Sequence, residues 1–435
     1  MQKKGIVYTI LAVILLFMAA VVIYNIPPVN DRLAWRVDET ILRIKYQLNP
    51  PQEVVFTPQA QIATSSPIAI SPSPTSSPTQ TPLPIATGST NTPLPTPTAT
   101  ITPTPPPGVV KLNGVRYDDQ HGRYNYCAPA NLSMALSFWG WQGDKDIVGP
   151  VVKPDSKDKN VMPYELADYV RENTDLSAIV RVGGDLETLK SFIAAGFPVL
   201  VEKGTYLRDL TGVVSWMGHY QVVTGYDDSQ ETFIVQDSYV GPDHTISYDD
   251  MIKNWRAFNY TYLIIYPPEE ESQVFALLGP DVDETANYQR AAAVASNEIF
   301  ALEGIDQFFA WYNRGTNLMY LQDYGGAADA YNNAFAVYAE LPVDDRPWRM
   351  LWYQTGPYFA YFHTQDYWNV INLADTTLGA MQSDKNLEES YYWRARAKAA
   401  LGDTAGAIED YRLSLKYHPG FGPALYALEL LGATP

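Results

Sequence analysis

The sequence predicts an α+β domain followed by an all-α helical repeat domain, both carried behind an N-terminal transmembrane helix. Three observations predict this. Gly5 to Ile26 is an uncharged apolar run of 22 residues. Residues 109–268 combine helix starts with β-branched and aromatic strand runs. Residues 269–435 repeat an aromatic and small-residue pattern of helical period. The chain of 435 residues divides into 1–29 (cytoplasmic tip and transmembrane anchor), 30–56 (juxtamembrane amphipathic helix), 57–108 (stalk), 109–268 (α+β domain) and 269–435 (helical repeats).

The apolar run is long enough to cross a hydrocarbon core, which needs about 20 helical residues. Lys3 and Lys4 precede it, so the N-terminus is expected in the cytoplasm and the remainder outside it. A cleaved signal peptide would have a shorter apolar core and a small-residue cleavage site. Here the run ends in Val21-Val22-Ile23-Tyr24-Asn25-Ile26-Pro27-Pro28. The expected location is the cell membrane, single-pass. Beyond it, Leu33, Trp35, Val37, Ile41, Leu42, Ile44 and Leu48 interleave with Arg32, Arg36, Arg43 and Lys45. That pattern suits a short amphipathic helix on the membrane face or against a partner.

Residues 57–108 hold 14 of the 33 prolines and no charged residue. Such a composition buries too little apolar surface to fold. Extended at about 3.1 Å per residue, it would reach on the order of 150 Å. It reads as a disordered stalk that tethers the globular part away from the membrane.

Charge excludes one class of partner. With 30 basic against 48 acidic residues, the chain lacks the excess of cations that nucleic acid requires. The single cysteine excludes an intramolecular disulfide framework and any multi-cysteine metal cluster. Asp118-Asp119 and Asp227-Asp228 are not followed by metal-loop spacing and read as turn residues. No cofactor and no metal site is expected.

In the α+β domain the cysteine stands in Tyr126-Cys127-Ala128-Pro129-Ala130-Asn131-Leu132. Pro129 suits a first helical turn, and Leu132, Ala135, Leu136 and Trp139 recur at helical spacing. Cys127 therefore falls at a helix N-terminus, where free N–H groups and the helix dipole lower a thiol pKa. A nucleophile needs that. The run His219 to Tyr226 reads as a strand. Asp227-Asp228-Ser229 turns, and Thr232 to Gln236 returns, ending at Asp237. The hairpin makes His219 and Asp237 neighbours at one end of a sheet, the placement of a base and the carboxylate that orients it. Trp216, three residues before His219, is the best candidate for a groove-lining aromatic.

These motifs resemble the double-glycine leader peptidase-like family, a branch of the papain-fold cysteine peptidases. Cys127-Ala128-Pro129-Ala130, Gly218-His219 and Asp237 correspond to its three motifs, with Ala128 where the family has Gly. The likeness covers roughly Val115 to Pro267. It implies a papain-like α+β fold, Cys127 as nucleophile, His219 as base and acid, and Asp237 as orienting residue. It also implies an oxyanion donor from a glutamine shortly before the cysteine, which here is Gln120. The backbone N–H of Cys127 would be the second donor.

In the C-terminal part, Trp311-Tyr312 is followed by Asp323-Tyr324, Ala327 and Tyr331. Trp352-Tyr353 precedes Asp366-Tyr367, and Tyr391-Tyr392-Trp393 precedes Asp403, Ala407 and Tyr411. This pattern resembles tetratricopeptide repeats with lengthened connections. Stacked helix pairs make a concave surface, and the acidity concentrated here favours a basic protein partner.

The sequence thus points to a membrane-anchored, extracytoplasmic cysteine peptidase-like hydrolase. Its substrate would be a peptide or protein cleaved at an amide bond, with acyl transfer to an amine open to the same triad. The alternative is a catalytically inactive peptidase-fold scaffold of the cell envelope. No nucleotide-binding motif of the G-x-x-x-x-G-K type occurs, so transporter-coupled leader cleavage does not follow.

Overall fold

The structure, a computed structural model, describes residues 2–24, 37, 40–41, 44, 55–59, 107–208, 214–381 and 384–435. The expected stalk lies outside the described residues over 60–106, and so does most of the expected juxtamembrane helix. Residues 37, 40, 41 and 44 are helical and exposed. Helix α1 runs over Gln2–Tyr24. Its side chains are described at 12–16 and 18–24, and among the described residues no helix is long and apolar enough to cross a membrane.

The α+β domain is built on one antiparallel sheet. Its strands are β1 (Val109–Lys111), β2 (Ser177–Arg181), β3 (Val199–Arg208), β4 (Val214–Asp227), β5 (Thr232–Asp237), β6 (Gly241–Ser247) and β7 (Tyr262–Tyr266). The order is β2-β7-β3-β4-β5-β6, with β1 pairing the far end of β4. Both faces are covered, which is why β4 is an almost continuous apolar run beyond His219. Helices α2 (Cys127–Phe138), α3 (Lys145–Val152) and α4 (Pro163–Asn173) cover one face. There Leu132, Leu136 and Leu166 pack with Leu200, Val222 and Leu263. Helices α5 (Leu186–Ala194) and α6 (Tyr248–Arg256) cover the other, where Phe192 and Trp255 pack with Val201, Val223 and Ile264. Asp144, Asp185 and Ser247 each accept backbone N–H bonds at the starts of α3, α5 and α6, supplying orphan donors with side-chain oxygens.

Helix α7 (Glu271–Leu278) was assigned by sequence to the repeat part. It instead packs Val274 and Leu278 into the sheet domain's core. Helices α8 (Glu284–Ala301), α9 (Gly304–Tyr320), α10 (Tyr324–Glu340), α11 (Met350–Tyr353), α12 (Gly356–His363), α13 (Tyr367–Gly379), α14 (Glu388–Ala400), α15 (Thr404–Tyr417) and α16 (Gly422–Leu430) follow. Three hairpins, α9–α10, α12–α13 and α14–α15, turn in the same way. Gln322, Gln365 and Gly402 each take a positive φ. The next residue, Asp323, Asp366 or Asp403, caps the second helix by accepting from Gly326 N (2.9 Å), Asn369 N (3.3 Å) or Gly406 N (2.9 Å). A Cβ at Gly326 would stand 2.4 Å from the capping Asp323 carboxylate, so glycine there lets the cap close. The recurring aspartate, followed three residues on by Gly326, Asn369 or Gly406, is thus a turn-and-cap device.

The helical region shares a core with the sheet. Trp216, expected to line a groove, is 3% exposed. It stacks on Phe258 (5.9 Å, 3°) and Phe309 (5.9 Å) and meets Tyr353 edge-on. The expectation fails because β4 begins beneath the helices, where an indole has greater apolar area to bury than in a groove. Buried amides seal the junction: Asn259 and Asn317 exchange hydrogen bonds of 2.6 and 3.1 Å, and Asn313 donates to Arg256 O.

The expected start of the stalk also moves. Phe56 is buried, with its ring edge-on to Phe335 at 4.9 Å. Gln59 N donates to Asn369 Oδ1 (3.0 Å), and Asn369 Nδ2 donates to Gln59 O (3.1 Å). One aromatic anchor at the end of the expected juxtamembrane helix, which is not helical at 55–56, and paired amides at Gln59 dock the first residues of the expected stalk. Downstream, Pro107 O and Gly108 O accept from Tyr226 Oη (2.7 Å) and Asp228 N (2.8 Å). The described residues on both sides of 60–106 thus pack on the folded body.

Removing the Phe56 ring opens a cavity between Phe335 and Tyr361. Phe56→Ala should lower the unfolding free energy by about 3 kcal/mol, the lower end for a buried phenylalanine. Urea denaturation of the full chain measures this, with the exposed Thr57→Ala as an unaffected control.

Candidate active site

Cys127 opens α2 and is partly buried. Before it, Asn125 takes a positive φ of 50°, a conformation asparagine tolerates better than most residues. The approach is braced by Lys153, which is 3% exposed and donates to Tyr124 O (2.8 Å) and Asn125 O (3.0 Å). Burial draws the Lys153 ammonium down to about 8, against the charges of Asp158 and Cys127.

The hairpin of β4 and β5 supplies the other groups. Val222 pairs with Gln236, so the chain just beyond that pair brings Asp237 toward His219. His219 Nε2 lies 2.8 Å from Asp237 Oδ1, both side chains 2% exposed. That contact leaves Nδ1 as the imidazole nitrogen for the hydrogen bond to the Cys127 thiol. Burial alone would push the thiol pKa up. The His219 hydrogen bond and charge, the Tyr220 N–H and the Lys153 charge outweigh it, and the pKa falls below that of an ordinary thiol. Burial would likewise pull His219 down. Asp237 and Cys127 instead raise it to about 9. Both shifts run in the direction that favours proton transfer from the Cys127 thiol to the His219 imidazole.

Asp237 itself is removed from water, which disfavours its charge, yet it is held well below the carboxylate range, chiefly by His219. Gln221 Nε2 donates to Oδ2. Tyr239 N (2.8 Å) and Val240 N (3.1 Å) donate to Oδ1. These donors replace the hydration a buried carboxylate loses.

Gln120 is half-buried beside this group. Its Oε1 accepts from Ser238 Oγ at 2.7 Å, and its backbone N donates to Ser238 O at 3.0 Å. Ser238 Oγ in turn accepts from Asn131 Nδ2 (2.8 Å), which also donates to Cys127 O (2.8 Å). With Oε1 occupied, the Gln120 amide nitrogen is left as the available donor. His121 is exposed and pairs with Asp119 at 2.5 Å. Asn131, Lys153, Gln221 and Ser238 were missed by sequence reading. Only Asn131, one helical turn after Cys127, carried a signal there, as a polar residue on an otherwise apolar helix.

The helical region reaches this site. A Cβ at Gly218 would come within 2.9 Å of the Tyr353 ring. Arg349 donates to Ser215 Oγ (2.5 Å) and Trp216 O (3.1 Å), and Asn160 Nδ2 donates to Trp352 O. The segment around α11 thus covers the strand leading to His219.

Comparison with known proteins places this domain. Residues 112–263 match the Peptidase_C39 like family. Among solved structures, one described as a putative C39-like peptidase from Bacillus anthracis matches with 18% identity, covering 36% of this chain and 96% of that one, at a TM-score of 0.30. No curated protein matches the chain. The family match supports a C39-like peptidase domain of α+β architecture, here followed by a helical C-terminal region.

The charged pair has a pH signature. His219 is raised from 6.5 to about 9, so its contribution to stability is complete below about 6.5 and is lost as pH rises through about 9. Asp237 is lowered from 3.8, so its contribution is complete above about 3.8 and is lost as pH falls below that. The stability difference between the native chain and Asp237→Asn should therefore be greatest between these limits and shrink toward pH 9. A difference that stays flat from acid to pH 9 contradicts a charged pair.

Proposed function

We propose that the chain is a membrane-anchored, extracytoplasmic cysteine peptidase-like hydrolase that cleaves peptide or amide bonds through Cys127, His219 and Asp237. The observation that carries this reading is the buried hydrogen-bonded series from the Cys127 thiol through His219 to Asp237. The match of residues 112–263 to a peptidase-like family supports it.

In this mechanism the Cys127 thiolate attacks the carbonyl carbon and forms a C–S bond. The oxyanion is met by the Gln120 amide and the Cys127 backbone N–H. His219 gives its proton to the amine as the C–N bond breaks, leaving a thioester. Water, deprotonated by His219, then attacks the thioester carbonyl and releases the acid. Asp237 keeps Nδ1 aimed at sulfur throughout, and Ser238 keeps the Gln120 carbonyl turned aside.

The anchor is Gly5 to Ile26. Its support is the uncharged run, the helix over Gln2–Tyr24 and the exposure of Val13, Leu16 and Val22. The C-terminal hairpins are tetratricopeptide-like, supported by the shared turn and cap. Through α11 and Tyr353 they serve as a wall of the substrate cleft as well as a surface for a protein partner.

Cys127→Ala should abolish turnover of a peptide library by the full chain. Gln120→Ala should lower kcat by about 10²–10³, the usual cost of one oxyanion donor. Ser238→Ala should cost about tenfold, since it acts through Gln120. Equal turnover by native chain and Cys127→Ala removes Cys127 from the mechanism. If neither turns over and iodoacetamide labels Cys127 no faster than a free thiol, the inactive scaffold is the correct reading.

A further inference from the structure

The sheet domain and the helical region together line a partly open cavity of about 500 Å³, within the size range of ligand sites. Three glutamates line it: Glu284, exposed at the start of α8, and two less exposed, Glu202 from β3 and Glu389 from α14. Glu202 is 5% exposed. Among the described residues, no lysine, arginine or histidine forms an ion pair with Glu202 or Glu389. The one arginine in the wall, Arg181, is committed elsewhere. Its guanidinium nitrogens donate to the carbonyls of Asp281 (2.5 Å), Val180 (2.7 Å) and Val282 (2.6 Å).

Aromatic rings share the remaining walls with aliphatic and uncharged polar side chains. Tyr288 and Tyr320 stack at 4.4 Å, and Trp393 meets Phe359 at 5.2 Å. Carboxylates without cations, set among aromatic faces, are the chemistry that recognises an organic cation. Burial holds the Glu202 and Glu389 carboxyls above their ordinary range. An entering cation would ionise them and release protons.

The cavity also adjoins the reacting groups. Glu202 pairs in register with Tyr220, the residue after His219. Tyr353, another wall residue, packs on Gly218, the residue before it.

We infer that this cavity holds the cationic group of the substrate, an ammonium or guanidinium close to the bond that Cys127 attacks. This deepens the hydrolase reading and rests on it. The cation comes from a lysine or arginine side chain or from a chain N-terminus.

The test is calorimetric binding to the full chain carrying Cys127→Ala. The probes are end-capped tripeptides with central lysine, arginine or norleucine, and an uncapped trialanine against its acetylated form. At least one cationic probe should bind about tenfold or more tightly than its neutral counterpart, as expected for a charge-assisted bond. Binding should release protons, read as a heat that changes with the buffer's ionisation enthalpy. Glu202→Gln should reduce the preference toward unity. Glu389→Gln, on the other wall, repeats the test if the first variant melts early.

Preference for the side-chain cations assigns a specificity subsite. Preference for the free N-terminus assigns an aminopeptidase-like register. Equal affinity for charged and neutral probes, or a preference that survives both glutamine variants, overturns the inference. Binding is read without the nucleophile. A cation preference with no turnover by the native chain would therefore refute hydrolysis alone, and turnover without preference would refute the cavity's role alone.

Discussion

The pairing of β4 with β1, β3 and β5 is the constraint on which the rest of the molecule depends. Its 14 residues pass through three environments. The first lies under the helical region, where Trp216 joins the shared core. The second carries His219 and Gln221. The third is clamped by β1 and β5 at Asp227. An antiparallel ladder sets the position of every side chain along it, since a slip of one residue would turn each to the opposite face. His219 thus cannot shift relative to Asp237 without withdrawing Trp216 from its stack.

The second theme is charge taken out of water. Asp237 and Lys153 are nearly fully buried, and each is tolerated because oriented partners replace its hydration. Asp237 has four donors and Lys153 two carbonyls. Among the described residues, Glu202 and Glu389 form no ion pair with a cation. The contrast separates charges that hold the site together from charges that face a cavity. The helical region lines that cavity as well and supplies two of its three glutamates, Glu284 and Glu389.

The docking of Val55 to Gln59 changes the meaning of the proline-rich stretch. Its described flanks, 55–59 and 107–108, both dock on the folded body. Phe56, just ahead of the proline-rich stretch, is a faint signal, because its partners Phe335 and Tyr361 lie about 280 and 305 residues further along the chain.

The sequence by itself determined the local devices: the helix beginning at Cys127, the hairpin joining His219 to Asp237, and the recurring aspartates that cap helices. Each depends on residues close in the chain, where spacing and propensity act directly. Tertiary structure decided the rest. It placed Trp216 in a core, attached α7 to the sheet, aligned Asn131, Ser238 and Gln120, and brought α11 over β4. These depend on contacts between distant residues, whose geometry follows from packing both faces of the sheet at once. No local pattern encodes which buried polar group will meet which.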